Sequence, residues 1–181
     1  IDVRAPVEFL QGSLPGAINL PIMNDDERAQ VGIVYKQAGR EAALKLGHEL
    51  VSGVVREERI QNWIAQIKKS PETVLFCYRG GLRSQITQGW LHERGVDVPL
   101  IEGGYKKSRQ FLRSEIDRLS ATKEFVVLSG PTGSAKTHII NSAAKFYPAL
   151  DLEGLAHHRG SAFRAWDIPQ PSAVEFENRL A

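Results

Sequence analysis

Two spacings of apolar residues alternate along the chain. Short apolar runs at Ile1 to Val3, Ala17 to Leu20, Thr73 to Phe76 and Val98 to Ile101 are too brief for helices and read as strands. Between them the pattern turns helical. One helix starts at Pro6 and Glu8. A long helical region runs from Asn24, a predicted N-cap followed by Asp25, Asp26 and Glu27, to about Lys69, with breaks near Gly39 and Gly53. Its last part is the clearest, because Ile60, Trp63, Ile64 and Ile67 fall at i, i+3, i+4 and i+7 and so line one face. A further helix carries Ile86, Trp90 and Leu91 and stops at Gly95, and another runs from Tyr105 to about Leu119.

Strands alternating with helices predict an α/β fold with a parallel sheet flanked by helices over residues 1–119. Ser120, Ala121 and Thr122 read as a polar linker. A new apolar strand, Phe125 to Leu128, then leads through a glycine-bearing loop into a helix beginning near Lys136. Residues 120–181 thus read as the N-terminal part of a second α/β domain. The chain opens on a strand end and closes inside a helical pattern, Glu175 to Ala181, so a truncated second domain is the expectation. Apolar surface around Phe125 to Leu128 and Ile139 and Ile140 would then be exposed and prone to pairing.

Composition narrows the class. Among 181 residues, 23 Lys and Arg face 21 Asp and Glu, so any contact with nucleic acid must come from local patches and not from a global field. The single cysteine cannot form an internal disulfide, which fits a reducing compartment. No signal peptide and no apolar run near the ~20 residues of a membrane helix is present in this sequence, and a cytoplasmic protein without membrane contact is expected.

That cysteine, Cys77, stands where a strand hands over to a helix, in the run Cys77-Tyr78-Arg79-Gly80-Gly81-Leu82-Arg83-Ser84. Small residues there let successive backbone N–H groups converge at a helix N-terminus, which makes an anion cradle of Arg79, Gly80, Gly81 and Arg83. The same groups favour thiolate over thiol, and thiolate is the nucleophile. A buried inert cysteine is the ordinary alternative. Asp2 and Arg4 read as an ion pair that fixes a loop and takes no part in catalysis.

A second anion site is spelled by Gly130-Pro131-Thr132-Gly133-Ser134-Ala135-Lys136-Thr137, after an apolar strand and before a helix, as a P-loop requires. Gly130, Gly133 and Ser134 would turn backbone N–H groups toward a diphosphate, Lys136 would neutralise it, and Thr137 could hold Mg²⁺. Ala135 replaces the usual glycine, and its methyl is expected to narrow the approach or demand a right-handed backbone. Lys106, Arg109 and Arg113 form a basic stripe at i, i+3 and i+7 that could meet an RNA backbone, although a solvated helix face accounts for it as simply. His158 and Arg159, with His157, are further candidates for phosphate contact. Adjacent histidines make a poor metal site, and no metal centre is predicted.

The motifs Asp2-Val3-Arg4, Glu8-Phe9, Gly12 to Pro21, the cysteine loop and Glu102-Gly103-Gly104-Tyr105 resemble the rhodanese family over about residues 1–118. In that family the cysteine accepts sulfur as a persulfide. Five residues separate Cys77 from Arg83, one more than in typical sulfur-transferring rhodaneses and the same as in related phosphatases and arsenate reductases. A wider cradle suits a tetrahedral oxyanion.

With Leu46-Gly47-His48-Glu49-Leu50, the P-loop and Asp151 to Phe163, the whole set resembles the tRNA 2-selenouridine synthase family. That resemblance implies a rhodanese-like domain followed by the start of a P-loop domain. It also implies replacement of sulfur by selenium in the wobble 2-thiouridine of tRNA, with selenophosphate as donor and an S-geranylated intermediate made from geranyl diphosphate. Cys77 would carry selenium or assist its transfer, and Gly130 to Thr137 would bind a phosphorylated partner such as the diphosphate of the prenyl donor. No tightly bound cofactor is implied. The remaining alternatives are a rhodanese-type sulfurtransferase, a small phosphatase, or a non-catalytic fragment that binds tRNA or diphosphate.

Overall fold

The computed structural model describes residues 1–131, 133–158 and 168–181. Eight helices follow in order among them: α1 (Pro6–Leu10), α2 (Asp25–Leu50), α3 (Gly53–Lys69), α4 (Leu82–His92), α5 (Gly104–Thr122), α6 (Lys136–Ala143), α7 (Leu152–Leu155) and α8 (Ala173–Leu180). The chain divides into two compact units, Ile1–Phe111 and Leu112–Ala181, and the division falls within α5.

In the first unit the four predicted strands come together in parallel, but each crossing is a single rung and no longer strand forms among the described residues. Asp2 pairs with Asn19 on one side and Phe76 on the other, and Leu75 pairs with Leu100. The spatial order is therefore the segments around residues 19, 2, 76 and 100. Few backbone bonds hold each rung, for example Val3 N–H to the Phe76 carbonyl at 3.0 Å and Ile101 N–H to the Leu75 carbonyl at 2.9 Å. The sheet is therefore sparser than the alternating pattern predicts.

Packing compensates. Val3, Ile60, Trp63, Leu75 and Leu91 are fully buried, and Ile64 and Ile67 pack partly buried against them, so the stripe read from the sequence is the inner face of α3. Each such side chain contributes about 2–3 kcal/mol by leaving water. The Trp63 indole N–H also donates to the Leu20 carbonyl at 2.9 Å, which satisfies the one polar atom that burial would strand.

Helix α2 starts where expected. Asn24 Oδ1 accepts from Glu27 N–H and the Glu27 carboxylate accepts from Asn24 N–H, both at 2.8 Å, a closed capping box. At Gly39 the backbone leaves helical geometry, with φ 83° and ψ −172°. The chain doubles back there. A Cβ placed on Gly47 would lie 3.8 Å from the Val31 side chain, whereas an unbroken helix would separate those residues by about 24 Å.

Two expectations are corrected in the second half. Ser120, Ala121 and Thr122 belong to α5 and form no linker, because Ser120 Oγ and Thr122 Oγ1 donate to the Asp117 and Arg118 carbonyls of the preceding turn at 2.9 and 2.7 Å. Phe125 to Leu128 forms no strand. Among the described residues no segment pairs with it, and its side chains stay exposed, Val126 completely. A short continuous apolar run cannot hold an extended ladder by itself.

Candidate functional site

Cys77 follows Phe76, the last paired residue of its segment, and only 3% of its surface is exposed. Its carbonyl accepts from Tyr105 N–H at 2.9 Å, and the Tyr78 carbonyl accepts from Lys106 N–H at 2.9 Å, so the start of α5 clamps the loop. Close approach requires glycine at that clamp. Gly104 has φ 58°, and a Cβ there would run into the Cys77 carbonyl oxygen and the Gly80 nitrogen.

Cys77 Sγ lies 3.3 Å from Ser84 Oγ and 3.8 Å from the Gly81 carbonyl, and Ser84 Oγ in turn donates to that carbonyl at 3.0 Å. Burial pushes the thiol toward its neutral form and is the largest single influence. The Ser84 hydroxyl, the backbone N–H groups of Ser84 and Arg79, and the Arg83 charge together outweigh it, so the thiol ionises below the ordinary cysteine range. A buried cysteine whose ionisation is eased in this way is suited to act as a nucleophile.

Arg83 is not a loose cation above the sulfur. Its Nη1 and Nη2 bind Glu8 Oε2 and Oε1 at 2.5 and 3.2 Å, and Arg28 Nε reaches the same Oε2 at 3.0 Å. Burial, again the largest influence on Glu8, opposes ionisation, but the hydrogen bond and charge of Arg83 with the charge of Arg28 hold its carboxyl below the usual range. Arg79 lies at the surface with its guanidinium 5.9 Å from the Tyr78 ring, and it reaches the sulfur through its backbone N–H alone. Gly80 and Gly81 form the turn between them. Asp2 and Arg4 are the structural pair that was expected: Arg4 Nη2 meets Asp2 Oδ2 at 2.6 Å, Ser13 Oγ donates to the same oxygen at 2.8 Å, and both charged residues are buried.

Sequence reasoning gave no role to Ser84, Glu8 or Gly104. Ser84 had a usable signal, a hydroxyl in the first turn of the helix that follows the cysteine. Glu8 had none, since its partner Arg83 is 75 residues away.

In the second unit the phosphate loop closes on itself. Lys136 Nζ donates to the Gly130 and Pro131 carbonyls at 2.8 and 3.0 Å, and Ser134 Oγ donates to the Pro131 carbonyl at 2.8 Å. Gly133 takes φ 84°, and Thr137 is exposed in the first turn of α6. Ala135 corrects the expectation of a right-handed backbone: its φ of 59° and ψ of 22° are left-handed, the conformation that the usual glycine adopts freely. On α5, Lys106 and Arg113 are exposed and Arg109 is half-buried. His158 is exposed, His157 Nδ1 lies 2.9 Å from the Pro169 carbonyl, and Arg159 lies outside the described residues. Among the described residues no group of three His, Cys, Asp or Glu could hold a metal ion, and no helix is long and apolar enough to cross a membrane.

A buried cysteine on a glycine-rich turn between a parallel rung and a helix agrees with the class that the rhodanese-like domain model gives, which matches residues 1–110. A second model, described as the tRNA 2-selenouridine synthase AAA domain, matches residues 123–181. Curated relatives align over all of this chain: the tRNA 2-selenouridine synthases of Nitrosomonas europaea at 60% identity, Bdellovibrio bacteriovorus at 58% and Aeromonas salmonicida at 52%. The chain belongs to the rhodanese-like domain family, and over its whole length it is similar to tRNA 2-selenouridine synthases. It spans 47 to 48% of those relatives' length. Among solved structures, the N-terminal domain of a Clostridium difficile 630 protein described as ATP/GTP binding is 31% identical with a TM-score of 0.53, over 61% of this chain and 85% of that one.

Proposed function

We propose that this chain contributes the selenium-transfer nucleophile and a phosphate-binding loop to a cytoplasmic enzyme that modifies tRNA. The enzyme replaces the sulfur of wobble 2-thiouridine with selenium from selenophosphate, through an S-geranylated intermediate made from geranyl diphosphate. The parallel rungs serve as the centre of a rhodanese-like sheet, and residues 120–181 open the P-loop α/β domain. Cys77 bears selenium or assists its transfer. Attaching an alkyl group to the thiouridine sulfur lets it depart as a thiol, which makes displacement by selenium feasible at neutral pH. Lys136, Gly130, Gly133, Ser134 and Thr137 bind a phosphorylated partner, and the Thr137 hydroxyl would help hold Mg²⁺, which would supply positive charge to neutralise the phosphates. Lys106, Arg109, Arg113, His158 and Arg159 contribute to tRNA contact.

The observation that carries this reading is the Cys77 sulfur, 3.3 Å from Ser84 Oγ, in a loop with five residues between the cysteine and Arg83. Loop length also favours a second reading, a thiolate acting on a phosphate ester. The test is mass spectrometry of tRNA nucleosides after incubation with the full-length protein bearing this chain, selenophosphate and geranyl diphosphate. The native protein is expected to yield 2-selenouridine and Cys77→Ser none. Undiminished 2-selenouridine with Cys77→Ser would overturn the role of the cysteine, and turnover of a phosphate ester with no tRNA product would favour the second reading.

A further inference from the structure

The reversal of α2 at Gly39 does more than return the chain. Between its two arms and the start of α4 lies a groove of about 710 Å³, within the size range of small-molecule sites. Its wall is apolar, built of Ile22, Ile33, Leu44, Val51, Ile86 and Trp90. Its charged members are uneven. Among the described residues the lining carries four basic side chains, Arg28, Lys36, Arg40 and Arg83, against the single carboxylate of Glu8, which already bridges Arg28 and Arg83. An apolar trough with a surplus of positive charge fits an amphiphile with a short hydrocarbon chain and an anionic head, because the chain gains by leaving water while the head keeps charged partners. Leu82 and Arg83 belong both to this groove and to the cysteine loop, so a chain seated here would lie next to the selenium-transfer site.

We propose that this groove of the first unit is the site of the isoprenoid donor, with the geranyl chain against Ile33, Ile86 and Trp90 and the diphosphate on Arg28, Lys36 and Arg40. This assignment rests on the proposed geranyl chemistry. It moves the prenyl donor away from the phosphate loop, whose own lysine is folded onto the loop carbonyls, and leaves that loop to another phosphorylated partner. The positive rim is what separates this occupant from a purely apolar one such as a helix of a second copy, which would gain nothing from four cations.

Calorimetric titration of the full chain with geranyl diphosphate, geraniol and inorganic diphosphate tests the assignment. Ile33 is half-exposed on the first arm of α2, so Ile33→Glu places a charge in the trough without disturbing the core. The expected result is saturable binding of geranyl diphosphate, weakened about tenfold or more by Ile33→Glu and by Arg40→Glu, and unchanged by Lys136→Ala or Cys77→Ser. Geraniol and inorganic diphosphate should each bind more weakly, since each lacks one half of the match. Binding lost in Lys136→Ala and kept in Ile33→Glu would place the donor on the phosphate loop and overturn the proposal. So would inorganic diphosphate binding as tightly as geranyl diphosphate, or no binding by a chain whose circular dichroism shows it folded. Because Cys77→Ser is expected to bind normally, failure of the groove is read separately from failure of the cysteine's role in selenium transfer.

Discussion

Ser84→Ala isolates the force that ionises Cys77. Its hydroxyl carries one proton and has two acceptors within reach, the Gly81 carbonyl at 3.0 Å and the Cys77 sulfur at 3.3 Å. With a neutral thiol the proton stays on the carbonyl, and with a thiolate it turns to the sulfur. The gain is a charge-assisted bond of about 1.5–3 kcal/mol less the neutral bond given up, about 1 kcal/mol, which leaves roughly 0.5–2 kcal/mol in favour of thiolate. Removing the hydroxyl should therefore raise the pKa of Cys77. The assay is the pH dependence of alkylation by iodoacetamide, checked against the ultraviolet absorbance of the thiolate. The sign also reaches stability. A thiol whose folded pKa is depressed adds stability that is fully present above the ordinary cysteine pKa and is lost as pH falls through the folded value. The variant should thus lose relative stability at alkaline pH and approach the native protein below the native Cys77 pKa, apart from a constant packing cost. A titration midpoint unchanged by Ser84→Ala would refute the argument and leave backbone N–H groups and Arg83 as the whole cause.

Three further predictions test the frame of the site. Gly104→Ala forces a methyl into the Cys77 carbonyl and the Gly80 nitrogen, and should cost about 3 kcal/mol in urea unfolding together with the fast alkylation of Cys77; a loss under about 1 kcal/mol would show that the clamp can yield. Glu8→Gln removes the charge shared by Arg83 and Arg28 and should cost about 2 kcal/mol at neutral pH. Because the Glu8 carboxyl ionises below its usual range, that stability is present above the ordinary carboxylate pKa and disappears as pH falls through the lowered one, so urea midpoints of variant and native protein should converge in acid. Ala135→Gly relieves a left-handed alanine and should stabilise the second unit by about 1 kcal/mol, read by thermal unfolding.

Local signals were legible and long-range ones were not. The inner stripe of α3, the cap at Asn24, the cysteine turn and the phosphate loop are each written within a dozen residues, at spacings that follow from helix and turn geometry. The strand read at Phe125 to Leu128 shows the limit of such reading. A continuous apolar run marks a segment fit for burial, and it becomes a strand only when another segment pairs with it. Ser120 and Thr122 resemble linker residues by composition, but their hydroxyls find carbonyls one turn back. The break at Gly39 was visible, yet that it folds α2 onto itself and opens a groove depends on contacts between residues such as Val31 and Gly47. Glu8 and Arg83, in the same way, carry no mutual mark in the sequence.

The carboxylate of Glu8, shared between Arg28 and Arg83, has a consequence for how this protein can vary. Three positions far apart in the chain form one electrostatic unit, with one guanidinium on the cysteine loop and the other on the wall of the groove. Substitutions there will not act independently, since loss of either arginine changes what the other experiences and loss of the glutamate leaves two like charges facing each other. Residues 8, 28 and 83 are therefore expected to be inherited as a set, with neutral change at one position open only after change at another. A change at Arg28 that reshapes the groove would also alter the pairing of Arg83, whose charge favours ionisation of Cys77, so drift in the groove and drift in the cysteine loop are tied together.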